Sequence, residues 1–181
     1  MGRRSLPKID PTLDLSGILH EWDDVFRPGE PWGPFERAAP LEIEVGSGKG
    51  LFLASASAAR PDHDFLGIEL AYKYARFAAA RLAKRGGGNA KVLCADARRA
   101  FAEWLPAASA VAVHVYFPDP WWKKRHKKRR VMTSAFAADV WRVLRPGGVL
   151  HFWTDVEEYY DTTRRLLASL ALFQGPFPVG E

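Results

Sequence analysis

The stretch YFPDPWWKKRHKKRRV, residues 116–131, gathers side chains that do not often stand together. One carboxylate, Asp119, lies between Pro118 and Pro120, which restrict the backbone on either side. Trp121 and Trp122 follow, and then seven cations, Lys123, Lys124, Arg125, Lys127, Lys128, Arg129 and Arg130, broken only by His126. An Asp in a proline-rich turn commonly caps a backbone amide. Directly ahead of so much positive charge it can instead meet a group that a polyanion delivers. Such a run on its own would also suit a solvated helix face or a localisation signal. At the end of an apolar segment it reads as a phosphate grip, with Asp119 as the carboxylate at which the chemistry would happen. If about four of these cations engage phosphates of single-stranded RNA, log affinity falls with log salt at a slope near −3. At least one of the two tryptophans is expected in the core; an exposed one can stack on an extruded base, worth roughly 1–3 kcal/mol. His126 has no second ligand at suitable spacing, so it is read as a hydrogen-bond donor and no metal site is expected.

A second group of polar residues surrounds EVGSGKG, residues 44–50. Gly46, Gly48 and Gly50 form a tight turn that lets a ligand approach the backbone before a helix opens. The spacing is neither that of a phosphate-binding loop nor that of the dinucleotide fingerprint. Glu44, just before the turn, would repel a pyrophosphate but hold an ammonium group. Glu69 ends a later apolar run and is placed to accept both hydroxyls of a ribose. Asp96 ends the next and can accept from an adenine amino group. One such carboxylate is commonly just a solvated strand end; three in succession describe S-adenosylmethionine, a ligand without phosphate. Glu44, Gly46, Gly48, Glu69 and Asp96 are therefore the cofactor-binding candidates.

These residues need elements to hold them. Apolar runs at 41–45, 64–70, 90–95, 110–117 and 149–153 read as strands, and the segments between them repeat apolar residues at helical spacing. The second helical segment stops at Gly86, Gly87 and Gly88, and another ends at Arg145-Pro146-Gly147-Gly148. Thr154 and Glu157 have capping-box spacing, which predicts a helix starting there. Strand and helix alternate, so the expected fold is α/β with a doubly wound, mostly parallel sheet. In such a sheet ligands bind beyond the carboxyl ends of the strands, where Glu44, Glu69, Asp96, Asp119 and Thr154-Asp155 all fall. Residues 1–40 are rich in Pro and Gly, with isolated aromatics at Trp22, Phe26, Trp32 and Phe35. They are expected to form an N-terminal arm, with the folded domain over 41–181.

Composition limits the alternatives. The chain carries 26 Lys+Arg against 21 Asp+Glu, a net charge of +5 in 181 residues. Subtracting the seven cations of residues 123–130 leaves −2, so the excess is one patch. A localised patch of that kind suits a polyanionic partner. Cys94 is the only cysteine, which excludes an intramolecular disulfide and a cysteine-built zinc site within one chain. A reducing, cytoplasmic setting is the expectation. With no long apolar run and no apolar leader, no membrane partner is expected.

Together EVGSGKG, FLGIEL, the Asp96 strand end, FPDPWWKKRHKKRR and TDVEEY resemble the bacterial-type tRNA (guanine-N7-)-methyltransferases, over roughly residues 41–170. The resemblance implies a Rossmann-like class I methyltransferase fold, S-adenosylmethionine as donor, and 7-methylguanosine in the variable loop of tRNA as product. It implies donor binding by Glu44, Glu69 and Asp96, with Asp119 as both catalytic and donor-binding carboxylate. Lys123 and Asp155 would contact the substrate, and Arg125, His126, Lys127, Lys128, Arg129 and Arg130 would contact the RNA. Asp119 can offset the charge that appears on the purine or accept from the guanine N1 and N2 edge; the residues suit both roles. The family continues past its last helix with a Thr- and Glu-containing segment, to which ALFQGPFPVGE has no counterpart, so incomplete C-terminal strands are expected. Two other readings stay open: a non-catalytic RNA-binding protein of this fold, and a methyltransferase for another substrate. Monomer and homodimer are equally compatible with the residues.

Overall fold

A computed structural model describes residues 8–26, 35, 37–86 and 88–177. Six strands form one sheet in which every ladder is parallel. They are β1 (Leu19–Glu21), β2 (Leu41–Val45), β3 (Asp64–Glu69), β4 (Ala90–Cys94), β5 (Ala110–Tyr116) and β6 (Leu144–Trp153), in the order β1-β4-β3-β2-β5-β6. The helices are α1 (Trp22–Val25), α2 (Leu51–Ala59), α3 (Tyr72–Ala83), α4 (Ala97–Glu103), α5 (Ser134–Val143) and α6 (Glu157–Leu170). A 3-10 helix spans Lys124–Arg129. The chain steps outward from β2 to β3 and β4, then returns to the other side of β2 with β5. The order therefore reverses between β2 and β5, and a ligand crevice belongs beyond their carboxyl ends.

The two faces of the sheet are packed differently, because successive strand residues point to opposite sides. On one face Ile43, Val45, Leu66, Ile68, Leu93, Val113 and Val115 meet Phe101, Phe136, Val140 and Tyr159 from α4, α5 and α6. On the other face Phe65, Ala90 and Val92 meet Leu53, Ala54, Ala75, Ala78, Ala79 and Leu82 from α2 and α3. The alanines bring those helices close. A Cβ built on Gly50 would stand 2.7 Å from the Ala78 Cβ, and one on Gly67 would stand 2.3 Å from a Leu53 methyl. Over β2, β5 and β6 this second face changes character, with Glu42, Glu44, His114, Tyr116 and His151 replacing the aliphatics.

Three features differ from the sequence expectations. Residues 19–26 are not an arm: β1 adds to the edge of the sheet against β4, and Trp22 is buried, stacked on Phe26 at 4.7 Å and edge-on to Trp104 at 6.0 Å. The segment is too short and mixed to show a period, so only its tertiary partners reveal it. Strand β6 begins at Leu144 rather than Val149; Ala110 pairs with Leu144 and Ala112 with Val149, so Arg145–Gly148 bulges from the ladder around Gly147 at φ +77°. Thr154 builds no capping box, because the N-cap of α6 is Val156 and the Thr154 Oγ1 accepts from the Val156 N–H at 3.2 Å. Trp32, Gly87 and the tail 178–181 lie outside the described residues.

Candidate active site

At the end of β2 the chain turns through Gly46, Gly48 and Gly50, with φ of +75°, +54° and +67°. All three lie in the left-handed region that favours glycine. Glu69 ties this turn to β3: its Oε2 accepts from the Gly48 N–H at 2.9 Å and its Oε1 from the Ala71 N–H at 2.8 Å. Each oxygen retains a lone pair for a ligand hydroxyl. Glu44 is 6% exposed, and its Oε2 has no partner among the described residues. Burial pushes its carboxyl up to about 8, against the Leu53 N–H that favours the anion, and the nearby Glu69 charge adds to the rise. A buried carboxyl with one free oxygen suits a cationic group. Asp96 stands at the end of β4 as expected but is engaged. It caps α4 through the Arg98 N–H at 2.9 Å and pairs with the Arg98 guanidinium at 3.0 Å.

Asp119 is exposed and has no protein partner among the described residues. Its loop is nevertheless fixed at both ends. Phe117 (φ +46°) and Trp121 (φ +47°) hold left-handed backbone on either side, a conformation that costs a non-glycine residue roughly 1–2 kcal/mol. The Phe117 N–H donates to the Trp153 carbonyl at 2.8 Å, and the Arg130 Nε donates to the Pro120 carbonyl at 2.8 Å. Arg130, expected among the RNA-contacting residues, is engaged by the protein itself in this structure. It is 5% exposed, its guanidinium lies 4.4 Å from the Tyr159 ring centroid, and it pairs with Glu158 at 2.5 Å. Arg130 holds the Asp119 loop.

The rest of the cationic run divides. Lys127 pairs with Glu158 at 2.8 Å, and Arg130 and Lys127 together hold the Glu158 carboxyl down to about 2. Arg129 covers the Trp121 ring at 5.0 Å. His126 stands edge-on to Trp121 and accepts from the Arg125 Nε at 3.2 Å through its Nε2. Lys123, Arg125 and Lys128 are exposed with no carboxylate partner among the described residues. Neither tryptophan is core, contrary to expectation: Trp121 is half-buried beneath Arg129, and Trp122 is 69% exposed. Proline-restricted backbone carries both over the loop surface. Asp155 is exposed just past the end of β6.

A buried polar chain escaped the sequence reading. Glu42 is 1% exposed; its Oε1 takes the Arg60 guanidinium and the His63 Nδ1, and its Oε2 takes the His114 Nε2 at 2.7 Å. The His114 Nδ1 then meets the Tyr116 hydroxyl at 2.8 Å. Burial raises the Glu42 carboxyl, but His114, Arg60 and His63 outweigh it and hold the group below its ordinary value. The signal was present as spacing: Glu42 with Glu44, and His114 with Tyr116, share a parity and therefore one face of adjacent strands. Tyr116, Phe117 and Trp153 line a cleft of about 240 Å³ at the ends of β5 and β6.

A parallel sheet that reverses order beside a glycine turn, with carboxylates at successive strand ends, defines a doubly wound α/β protein whose binding face is the strand-end crevice. Residues 38–175 match the family described as "Putative methyltransferase", and the chain belongs to that methyltransferase family. It is 49% identical over 176 residues to a tRNA (guanine-N(7)-)-methyltransferase of Rhodopirellula baltica, covering 94% of this chain and 65% of that protein. With a protein of the same name from Sodalis glossinidius it shares 36% over 147 residues, 81% of this chain and 62% of the relative. The chain thus spans a little under two thirds of these relatives. Among solved structures, the precorrin-6y C5,15-methyltransferase of Geobacter metallireducens superposes with a TM-score of 0.59 at 18% identity, over 72% of this chain and 62% of that one, a likeness of fold.

Proposed function

We propose that this chain holds the donor-binding and catalytic region of a tRNA (guanine-N7-)-methyltransferase that acts on a variable-loop guanine, in the cytoplasm where such RNA resides. The observation that supports this most is the arrangement about the β2/β5 reversal. The buried carboxyl of Glu44 lies on one side, the anchored Asp119 loop follows the other, and exposed cations come directly after it. The donor would be S-adenosylmethionine, and the residues fit it. Glu44 offers an unpartnered buried oxygen to the ammonium group, Glu69 offers acceptors to the ribose hydroxyls, and the glycine turn lets the chain of the ligand approach. Asp96 would serve the adenine while still capping α4.

S-adenosylmethionine supplies a methyl group on a sulfonium, which leaves as a neutral thioether. Guanine N7 carries a lone pair and no proton, so the protein needs no general base. It must align the lone pair with the methyl carbon and offset the positive charge that the purine acquires. Asp119, exposed on a fixed turn, would supply that negative charge. Lys123 and Asp155 would position the nucleotide, and Arg125 and Lys128 would hold flanking phosphates. The target base has to leave its stack to reach the methyl group. The test is methyl transfer from labelled S-adenosylmethionine to unmodified tRNA, against a transcript in which the variable-loop guanine is replaced. Incorporation is expected into the first alone. Asp119→Ala should lower transfer at least 100-fold while tRNA binding stays within about twofold; equal loss of both would contradict the assigned role.

A further inference from the structure

The cleft at the ends of β5 and β6 is walled by aromatic rings that the fold leaves open. Phe117 is 62% exposed and Trp153 is 45% exposed, next to the Asp119 loop. Large aromatics left in water beside a charged surface mark a binding site rather than a failed core. The rings are held. Tyr116 meets Trp153 edge-on, with centroids 6.3 Å apart and planes at 82°, and the Phe117 N–H is bonded to the Trp153 carbonyl.

Tyr116 is fixed from beneath by the buried polar chain. The Glu42 carboxylate only accepts, so the His114 Nε2 carries the proton and donates to it. The His114 Nδ1 and the Tyr116 hydroxyl share a hydrogen bond at 2.8 Å on the other side of the ring. Phe52 packs on both rings, at 4.6 Å from His114 and 5.0 Å from Tyr116, and His151 lies flat on His114 at 4.8 Å. The Tyr116 ring is thereby held in place at the wall of the cleft.

We propose that the cleft of Tyr116, Phe117 and Trp153 seats the purine that is methylated, with Glu42 and His114 as positioning residues for its Tyr116 wall. The proposal rests on the function assigned above. The exposed cations of Lys123, Arg125 and Lys128 supply the charge complementarity that selects a nucleic-acid base as occupant rather than an apolar peptide. The chemistry adds a directional demand. Methylation at N7 turns a neutral purine into a cation, and aromatic faces attract cations. The cleft therefore holds the ring more firmly as charge develops, and it binds the methylated base more tightly than the unmodified one.

The test compares binding of 7-methylguanosine monophosphate and guanosine monophosphate by calorimetry, with methyl transfer to tRNA measured separately. The wild-type protein should prefer the methylated nucleotide by about fivefold. Trp153→Ala should abolish the preference with S-adenosylmethionine binding unchanged, and Trp153→Phe should retain most of it. His114→Leu should reduce the preference and lower kcat about tenfold with little change in KM, and His114→Gln should restore both. A ratio of two affinities does not depend on the folded fraction, so a merely structural role for His114 would leave it unmoved. Equal affinities in the wild-type protein, or a preference that survives Trp153→Ala, would overturn the proposal even if tRNA is methylated. A preference lost on Trp153→Ala, in a protein that transfers no methyl to tRNA, would keep the purine seat and sink the functional assignment instead.

Discussion

At the scale of single residues, the buried Glu44 carries a pH dependence that can be read with its sign. Its carboxyl keeps a proton up to about 8 in the folded protein, whereas an unfolded chain releases it near 4.5. The native state binds more protons over that interval, so the contribution to stability is complete below pH 4.5 and declines as pH rises through about 8. Glu44→Gln should remove the decline. Denaturant titrations at pH 5 and pH 8 should show wild type losing up to a few kcal/mol more than the variant. Donor binding runs the other way, because an ammonium group favours the anion. Affinity for S-adenosylmethionine should climb between pH 6 and pH 8 by up to tenfold per unit, with proton release seen as a difference in binding heat between two buffers. Gln at position 44 should flatten that climb. The charge of Glu44 and its place before the glycine turn were legible in the sequence. Its protonation was not, since burial depends on Leu53 and the helix that covers it.

At the scale of elements, the 3-10 helix Lys124–Arg129 and the residues flanking it separate two tasks that the sequence runs together. Seven adjacent cations look equivalent when read as letters; packing gives Arg130 to the Asp119 loop and Lys127 to Glu158. Among the described side chains, three cations, Lys123, Arg125 and Lys128, are exposed with neither a carboxylate partner nor an aromatic ring beneath them. With Lys123, Arg125 and Lys128 engaged, the slope of log affinity against log salt for single-stranded RNA should be near −2, and each Ala substitution should lessen it by about 0.7. Those variants should melt within about 1 °C of wild type. Arg130→Ala should lower Tm by roughly 5 °C and slow methyl transfer with little change in the salt slope. The strands and helices themselves were legible from apolar period and glycine punctuation, as α3 and β5 show. The misreadings, β1 and the β6 bulge, sit where too few residues carry a pattern and the partner strand decides. The glycines at close contacts offer a sharper check on the element packing. Gly67→Ala would drive a methyl group into Leu53 and Ser47, and it should destabilise by about 2 kcal/mol and weaken donor binding, since Ser47 belongs to the turn.

At the scale of the whole molecule, the fold sorts its chemistry by direction. Because every strand runs the same way, Glu44, Glu69, Asp96 and Tyr116 come to one end of the sheet, and the surplus positive charge of residues 123–130 follows at that end. A molecule of net charge +5 with all of its excess in one patch should approach RNA in a preferred orientation, and its association rate should drop steeply with added salt. No helix among the described residues is long and apolar enough to cross a membrane. The same parallel order also sets a schedule for the chain as it forms. Leu41 of the central strand lies beside Ala110, and Leu19 at the edge beside Val92, so each must wait for some seventy residues to be made before its neighbour exists. The glycine turn is finished early, yet the crevice it borders cannot close until β5 arrives. Refolding from denaturant should accordingly be slow, in the range of tens of milliseconds to seconds, with donor-binding capacity appearing only in the last phase.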